Sequence, residues 1–259
     1  MSMIQPLISI ITVNYNNKAG LINTINSVLA QSFKRYEFIV IDGLSTDGSK
    51  EVLQENDQYI HYWVSEKDQG IYDAMNKGVQ KATGKYLFFL NSGDRFASNN
   101  VLEKVGLVME QENYGVVFGN VFLHDKQLIT YKSTLSLYYV LNQGMCHQVQ
   151  FLKKALFDEA GLYNLNYPVT ADHCQLILFL VKYKASYKHI PIAISILEPG
   201  GKSFVSLDNN ANERLQFMQI EFPMLLKDYL LLKRYEKINL FKRVKNFVKR
   251  KLAKKKSNN

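Results

Sequence analysis

The chain has 259 residues, 47% of hydrophobic type and 12% aromatic, enough for one large packed domain or a domain plus an appendage, and too much for disorder throughout. Its two cysteines, Cys146 and Cys174, exclude a disulfide framework and a CxxC metal knuckle and fit a reducing compartment. The net charge of +9 sits in residues 227–256, where 13 Lys/Arg face two acids; the remainder carries a net of −2, so the body is not a basic nucleic-acid binder.

The opening MSMIQPLISIITVNYNN lacks a basic n-region and reads as a first strand rather than a signal peptide. No run of about 18 apolar residues is present to span a membrane. LISIITV (7–13) is a continuous β-branched run, as expected of a strand covered on both faces. Asn16 or Asn17 can cap a helix whose apolar residues Leu21, Ile22, Ile25, Val28 and Leu29 recur at helical spacing. YEFIVID (36–42) predicts a second strand, and Thr46, Asp47 and Ser49 suit the next helix start. A third strand is expected at 59–65, a third helix at 70–82 and a fourth strand at 86–90, after a helix stop at Gly84. Successive βα units of this length imply a parallel sheet with helices on both faces. Beyond residue 100 the pattern predicts a helix near 99–112 and a strand at 115–121. MCHQVQFLKKALF (145–157) reads as a strand running into a helix. Further helix is expected at 170–183 and 206–232, with a β-like segment at 186–197 between them.

Ligands of open parallel sheets bind beyond the carboxyl ends of the strands. Those ends carry Val13-Asn14-Tyr15-Asn16, Asp42-Gly43, Ser65-Glu66-Lys67-Asp68 and Asn91-Ser92-Gly93-Asp94. A single strand-end Asp is usually a cap or a turn former. Three along one edge repel one another and call for a cation or a hydrogen-bonding ligand.

IITVNYN, VIDGLSTDGS, SEKDQGIYDAMNKG and FLNSGD, in this order, resemble the family-2 glycosyltransferases of the GT-A fold, in particular bacterial enzymes that build cell-surface polysaccharides. The resemblance covers about residues 6 to 205. It implies an α/β GT-A (Rossmann-like) fold with a mostly parallel sheet flanked by helices; the expected division is a transferase domain over 1–225 and, from the charge pattern, a basic amphipathic helical tail over 226–259. It implies that Val13, Asn14 and Tyr15 cradle a nucleotide, that Asp42 accepts a hydrogen bond from the base, and that Asp68 holds the base or donor-sugar side. Asn76, Lys77 and Ser92 join the donor set, and Lys202, in the loop Gly200-Gly201-Lys202-Ser203, meets the diphosphate. Asp94 matches the DxD turn that holds Mg²⁺ or Mn²⁺ against the diphosphate. This chain departs from that pattern, with Asn91 and Gly93 at the other acidic positions.

In the second half, Thr170-Ala171-Asp172-His173 matches the family's ED-like helix start. It makes Asp172 the base that deprotonates the acceptor hydroxyl, with Ala171 where a Glu is common. The alternative for Asp172 is a plain helix cap. His147 and Gln148 match a segment beside the acceptor site; a lone His on an apolar strand is otherwise a core residue.

In the tail, Leu240, Phe241, Val244, Phe247, Val248 and Leu252 share one helical face and Lys242, Arg243, Lys245, Lys249 and Arg250 the other. That is the pattern of an interfacial helix drawn to anionic lipid. The expectation is therefore an inverting, metal-assisted transferase, cytoplasmic and peripheral on the inner face of the membrane. It takes a nucleotide-diphosphate sugar, UDP-linked, to a hydroxyl of a lipid-carried glycan, and binds no nucleic acid. The rival reading is a catalytically inactive partner that kept the fold, motivated by the reduced DxD turn and the absent Glu at 171.

Overall fold

A computed structural model describes residues 5–124, 127–198, 207–236 and 238. Four strands open the chain: β1 (Ile8–Asn14), β2 (Tyr36–Asp42), β3 (Tyr62–Ser65) and β4 (Tyr86–Phe89). They lie parallel in the order β3-β2-β1-β4. All residues of β1, β2 and β4 are buried, because helices cover both faces. Between them run α1 (Lys18–Leu29), α2 (Ser49–Glu55) and α3 (Ile71–Lys81). Asn17 caps α1 by accepting from Gly20 N at 3.0 Å. On α3, Gly78 permits close approach to the sheet: a Cβ there would run into the side chain of Ile11. The third strand is shorter than the sequence suggests, since Asp57–Tyr59 form a 3₁₀ turn.

The second half adds β5 (Arg95–Phe96), α4 (Val101–Gln111), β6 (Val116–Leu123), β7 (Gln127–Ile129), α5 (Leu137–Gln143), β8 (Gln150–Lys153), α6 (Lys154–Ala160), α7 (Ala171–Ile177) and β9 (Tyr187–Leu197). These extend the sheet as β4-β8-β6-β9-β5, with β7 on β6. Here β8, β5 and β7 run antiparallel to their neighbours while β6 and β9 pair in parallel. The sheet is thus mixed and mostly parallel, six of the nine strands among the described residues pointing one way. The rings of Phe88 and Phe151 stack at 4.3 Å across β4 and β8. Helix α7 does not continue to residue 183 as an α-helix; it widens into a π turn over Leu178–Lys182.

The chain forms two compact units, 1–210 and 211–259. Helix α8 (Leu207–Glu221) is followed by a helical run over 223–236. Among the described residues no helix is long and apolar enough to cross a membrane. The amphipathic segment 240–252 and the loop with Lys202 lie outside the described residues.

Candidate active site

The in-register pairing of Asn14 with Asp42, and of Asp42 with Ser65, brings three strand tips together. Asp42 is fully buried. Its Oδ1 accepts from Asn14 Nδ2 at 2.7 Å and Ser45 Oγ at 2.5 Å; its Oδ2 accepts from Ser45 N at 3.0 Å and Ser65 Oγ at 2.6 Å. The carboxylate expected to meet a nucleobase therefore has four donors of its own chain around it, and it ties the tips together.

Asp68 stands differently. It is half-buried, and Oδ1 accepts from Gly70 N at 2.8 Å. Its Oδ2 and the Tyr15 ring converge over Gly43, where a Cβ would come within 2.6 Å of the oxygen and 3.2 Å of Tyr15 Cδ2. Tyr15 is 70% exposed, an uncovered aromatic face beside that oxygen. Ser92 joins strand tip to helix: its N donates to Val13 O at 3.0 Å and its carbonyl accepts from Asn17 Nδ2 at 3.2 Å.

Two expected donor residues do other work. Asn76 is buried, and its amide clamps the Tyr163 backbone, donating to the carbonyl and accepting from the N–H, each at 2.9 Å. Its place was legible in the sequence, since Tyr72, Met75, Asn76 and Val79 form one helical stripe. Lys77 braces the loop before α3, 2.8 Å from Glu66 and 2.9 Å from Lys67 O.

The turn after β4 places Asp94 under the start of β5. Because Arg95 pairs with Ile196, the end of β9 lies alongside, and Glu198 N donates to Asp94 Oδ1 at 3.0 Å. Gln148 Nε2 donates to Oδ2 at 2.9 Å. Asp94 is 6% exposed, and burial, the largest influence, raises its pKa above the ordinary carboxylate value against these two hydrogen bonds. Gly93 has φ +101°, and a Cβ there would collide with the Glu198 carboxylate. Glycine thus lets a second acid, which the sequence reading did not single out, reach the turn. Glu198 also meets Asn17 Nδ2 at 3.2 Å.

Asp172 enters from the first turn of α7. His147 Nδ1 lies 2.9 Å from Oδ2, and Tyr72 Oη donates to Oδ1 at 2.8 Å. Burial alone would raise the Asp172 pKa; the hydrogen bond from His147, then that from Tyr72, outweigh it and hold the carboxyl below its usual value. Its side chain keeps 16% of its surface exposed. His147 and Gln148, expected beside the acceptor, lie within the 3₁₀ turn His147–Val149 that leads into β8, and each grips one carboxylate. Asp94 and Asp172, 78 residues apart, are thereby held by neighbouring side chains.

The profile of Glycosyl transferase family 2 matches residues 9–181. The chain belongs to that family. It is accordingly a glycosyltransferase by membership, with the fold of the nucleotide-sugar enzymes. An uncharacterised glycosyltransferase of Mycobacterium tuberculosis is 34% identical over 173 residues, 64% of this chain and 66% of that protein. A PGL/p-HBAD biosynthesis glycosyltransferase of Mycobacterium bovis is 33% identical over 227 residues, 82% of this chain and 85% of its own. Staphylococcus aureus TarS residues 1–349, solved with UDP-GlcNAc, superpose with TM-score 0.64 at 14% identity, covering 86% of this chain and 66% of that one. The mannosyltransferase PcManGT of Pyrobaculum calidifontis, solved with GDP-Man and Mn²⁺, gives 0.58 at 14%, covering 91% and 81%. The two structures share the GT-A-like fold.

Proposed function

We propose that the protein transfers a sugar, with inversion, from a UDP-linked donor to a hydroxyl of a lipid-carried glycan in bacterial surface polysaccharide synthesis. The observation that carries this reading is the joint hold of His147 and Gln148 on Asp172 and Asp94 at the edge where ligands of such sheets bind. Asp172 takes the acceptor hydroxyl proton. The acceptor oxygen bonds to the anomeric carbon as the bond to the diphosphate oxygen breaks, and the electron pair leaves with the diphosphate. No covalent enzyme intermediate is needed. Tyr15 offers a face for the base, and Asp68 an oxygen for a base or sugar donor group.

The residues at the turn fit a hard cation. Asp94 and Glu198 bring two carboxylates to one glycine-opened turn, although among the described residues no three His, Cys, Asp or Glu gather as a ligand set. Mg²⁺ or Mn²⁺ held there with diphosphate oxygens would offset the charge on the leaving group. Calorimetric titration of UDP, GDP, CDP and dTDP, with and without Mg²⁺ or Mn²⁺, tests the donor reading. Metal-dependent binding of UDP that is lost in Asp94→Ala is expected. Binding of none of the four would remove the donor assignment and favour an inactive partner.

The 13 basic residues of 227–256 support a peripheral site on the inner membrane face, next to a lipid-linked acceptor. Deleting residues 234–259 is expected to abolish sedimentation with phosphatidylglycerol vesicles while UDP binding persists. Equal sedimentation with and without the tail would count against the anchor.

A further inference from the structure

The Asn91 amide, at the tip of β4, places Nδ2 3.0 Å from His147 Nε2, while Nδ1 of the same ring lies 2.9 Å from Asp172 Oδ2. A neutral imidazole has one donor and one acceptor nitrogen. An amide N–H aimed at Nε2 makes that nitrogen the acceptor, so the ring proton resides on Nδ1 and points at the carboxylate. We propose that His147 is a positioning residue for Asp172, and that Asn91 sets the His147 tautomer that donates to it. This rests on the reading of Asp172 as the base.

The proposal accounts for a departure noted in the sequence. The family pattern has an acid at position 91, and this chain has Asn. An aspartate there can only accept, so it would draw the ring proton onto Nε2, away from Asp172. The amide donates to Nε2 instead, which leaves the ring proton on the Asp172 side. In this chain Asn91 faces the base network, while Glu198 brings the additional acid to the Asp94 turn. The ring is also fixed by packing: His147 is 8% exposed and meets Phe89 edge-on at 6.5 Å between centroids.

The groups around Asp172 come from several elements. Tyr72 faces it from α3, Cys146 and His147 from the turn before β8, Tyr163 from the loop after α6, and His173 from its own helix. Tyr72 and Tyr163 stay protonated, since burial, above all, raises both phenols well above their ordinary value. His147 contributes most of those that favour the Asp172 carboxylate.

The full-length protein answers the question without substrate. In histidine-labelled protein, long-range ¹H–¹⁵N correlation is expected to show His147 protonated on Nδ1 and bare on Nε2, the signal being assigned by its loss in His147→Asn. Asn91→Ala is expected to lose this bias and populate both tautomers. In aspartate-labelled protein, the ¹³Cγ titration of Asp172 is expected to fall below the ordinary carboxylate value. His147→Ala should push it above that value, since burial is then left uncompensated. His147→Asn, whose amide nitrogen falls near the Nδ1 position, should bring it back down. If His147→Ala does not fold, the Asn variant and the tautomer measurement still decide. A wild-type ring protonated on Nε2, or an Asp172 titration indifferent to residue 147, would overturn the proposal. Full turnover in Asp172→Asn would instead remove the base reading, whatever the tautomer.

Discussion

Asp172→Asn is expected to lower kcat by about 10²- to 10⁴-fold, the usual worth of a positioned base, with the donor Kd unchanged. The substitution is nearly isosteric but keeps only one of the two acceptor oxygens, so either Tyr72 or His147, which bond different oxygens of the carboxylate, faces an amide N–H₂ instead; thermal unfolding checks that the fold survives. What it removes is the ability to take a proton as the acceptor oxygen attacks. The wild-type pH profile adds a signed expectation. The folded-state pKa of Asp172 is depressed, with burial more than offset by the His147 hydrogen bond. The base is therefore ionised at neutral pH, and activity should fall only as pH drops through a value below that of an ordinary carboxylate. The same group contributes folding stability above its unfolded pKa and loses it as pH falls through the folded one. Single-turnover transfer separates chemistry from binding. Undiminished turnover in the variant would leave Asp172 as a structural partner of His147 and Tyr72.

The parallel half of the fold was legible in the sequence because burial on both faces writes itself as unbroken apolar runs. YEFIVID is β2 residue for residue, and LISIITV is β1 shifted by one. The carboxylates were legible for a related reason: an Asp directly after such a run lies at a strand tip, where the sheet presents its ligands. The second half was harder to read. β5 has two residues and no periodicity of its own; it exists because β9 pairs with it. Helix α5 follows loop-like sequence without a helical apolar stripe long enough to declare it.

The connections within the site were not legible, because they join residues far apart in the chain. Glu198 reaches Asp94 across 104 positions and Tyr72 reaches Asp172 across 100. A motif records which residues occur, not which ones meet. Asn76 illustrates the difference. It sits in a diagnostic motif, yet its amide is occupied by the Tyr163 backbone, and the apolar stripe around it was the better guide.

Asp42 offers the sharpest contrast between a residue that binds and one that builds. Asp42→Ala removes the acceptor of four buried or half-buried donors from Asn14, Ser45 and Ser65. Leaving such donors without a partner costs about 1–3 kcal/mol each where no water reaches them. Since Ser45 and Ser65 can turn toward solvent, a total of about 3 kcal/mol is expected. At roughly 2–4 °C per kcal/mol for a chain of this size, the Tm should fall by about 6–12 °C. Donor affinity should fall with it, because the tips of β1, β2 and β3 lose their common anchor. Asp68→Ala removes a carboxylate whose Oδ2 faces the space over Gly43. Its loss also frees Gly70 N at the start of α3, worth about 1 kcal/mol, so a Tm fall of only about 2–4 °C is expected, with a larger loss of UDP binding. Thermal unfolding and calorimetry on the two variants separate the roles. If Asp42→Ala melts like the wild type and loses only UDP affinity, the carboxylate serves the nucleotide directly, and the hydroxyls of Ser45 and Ser65 must give way to the base when it enters.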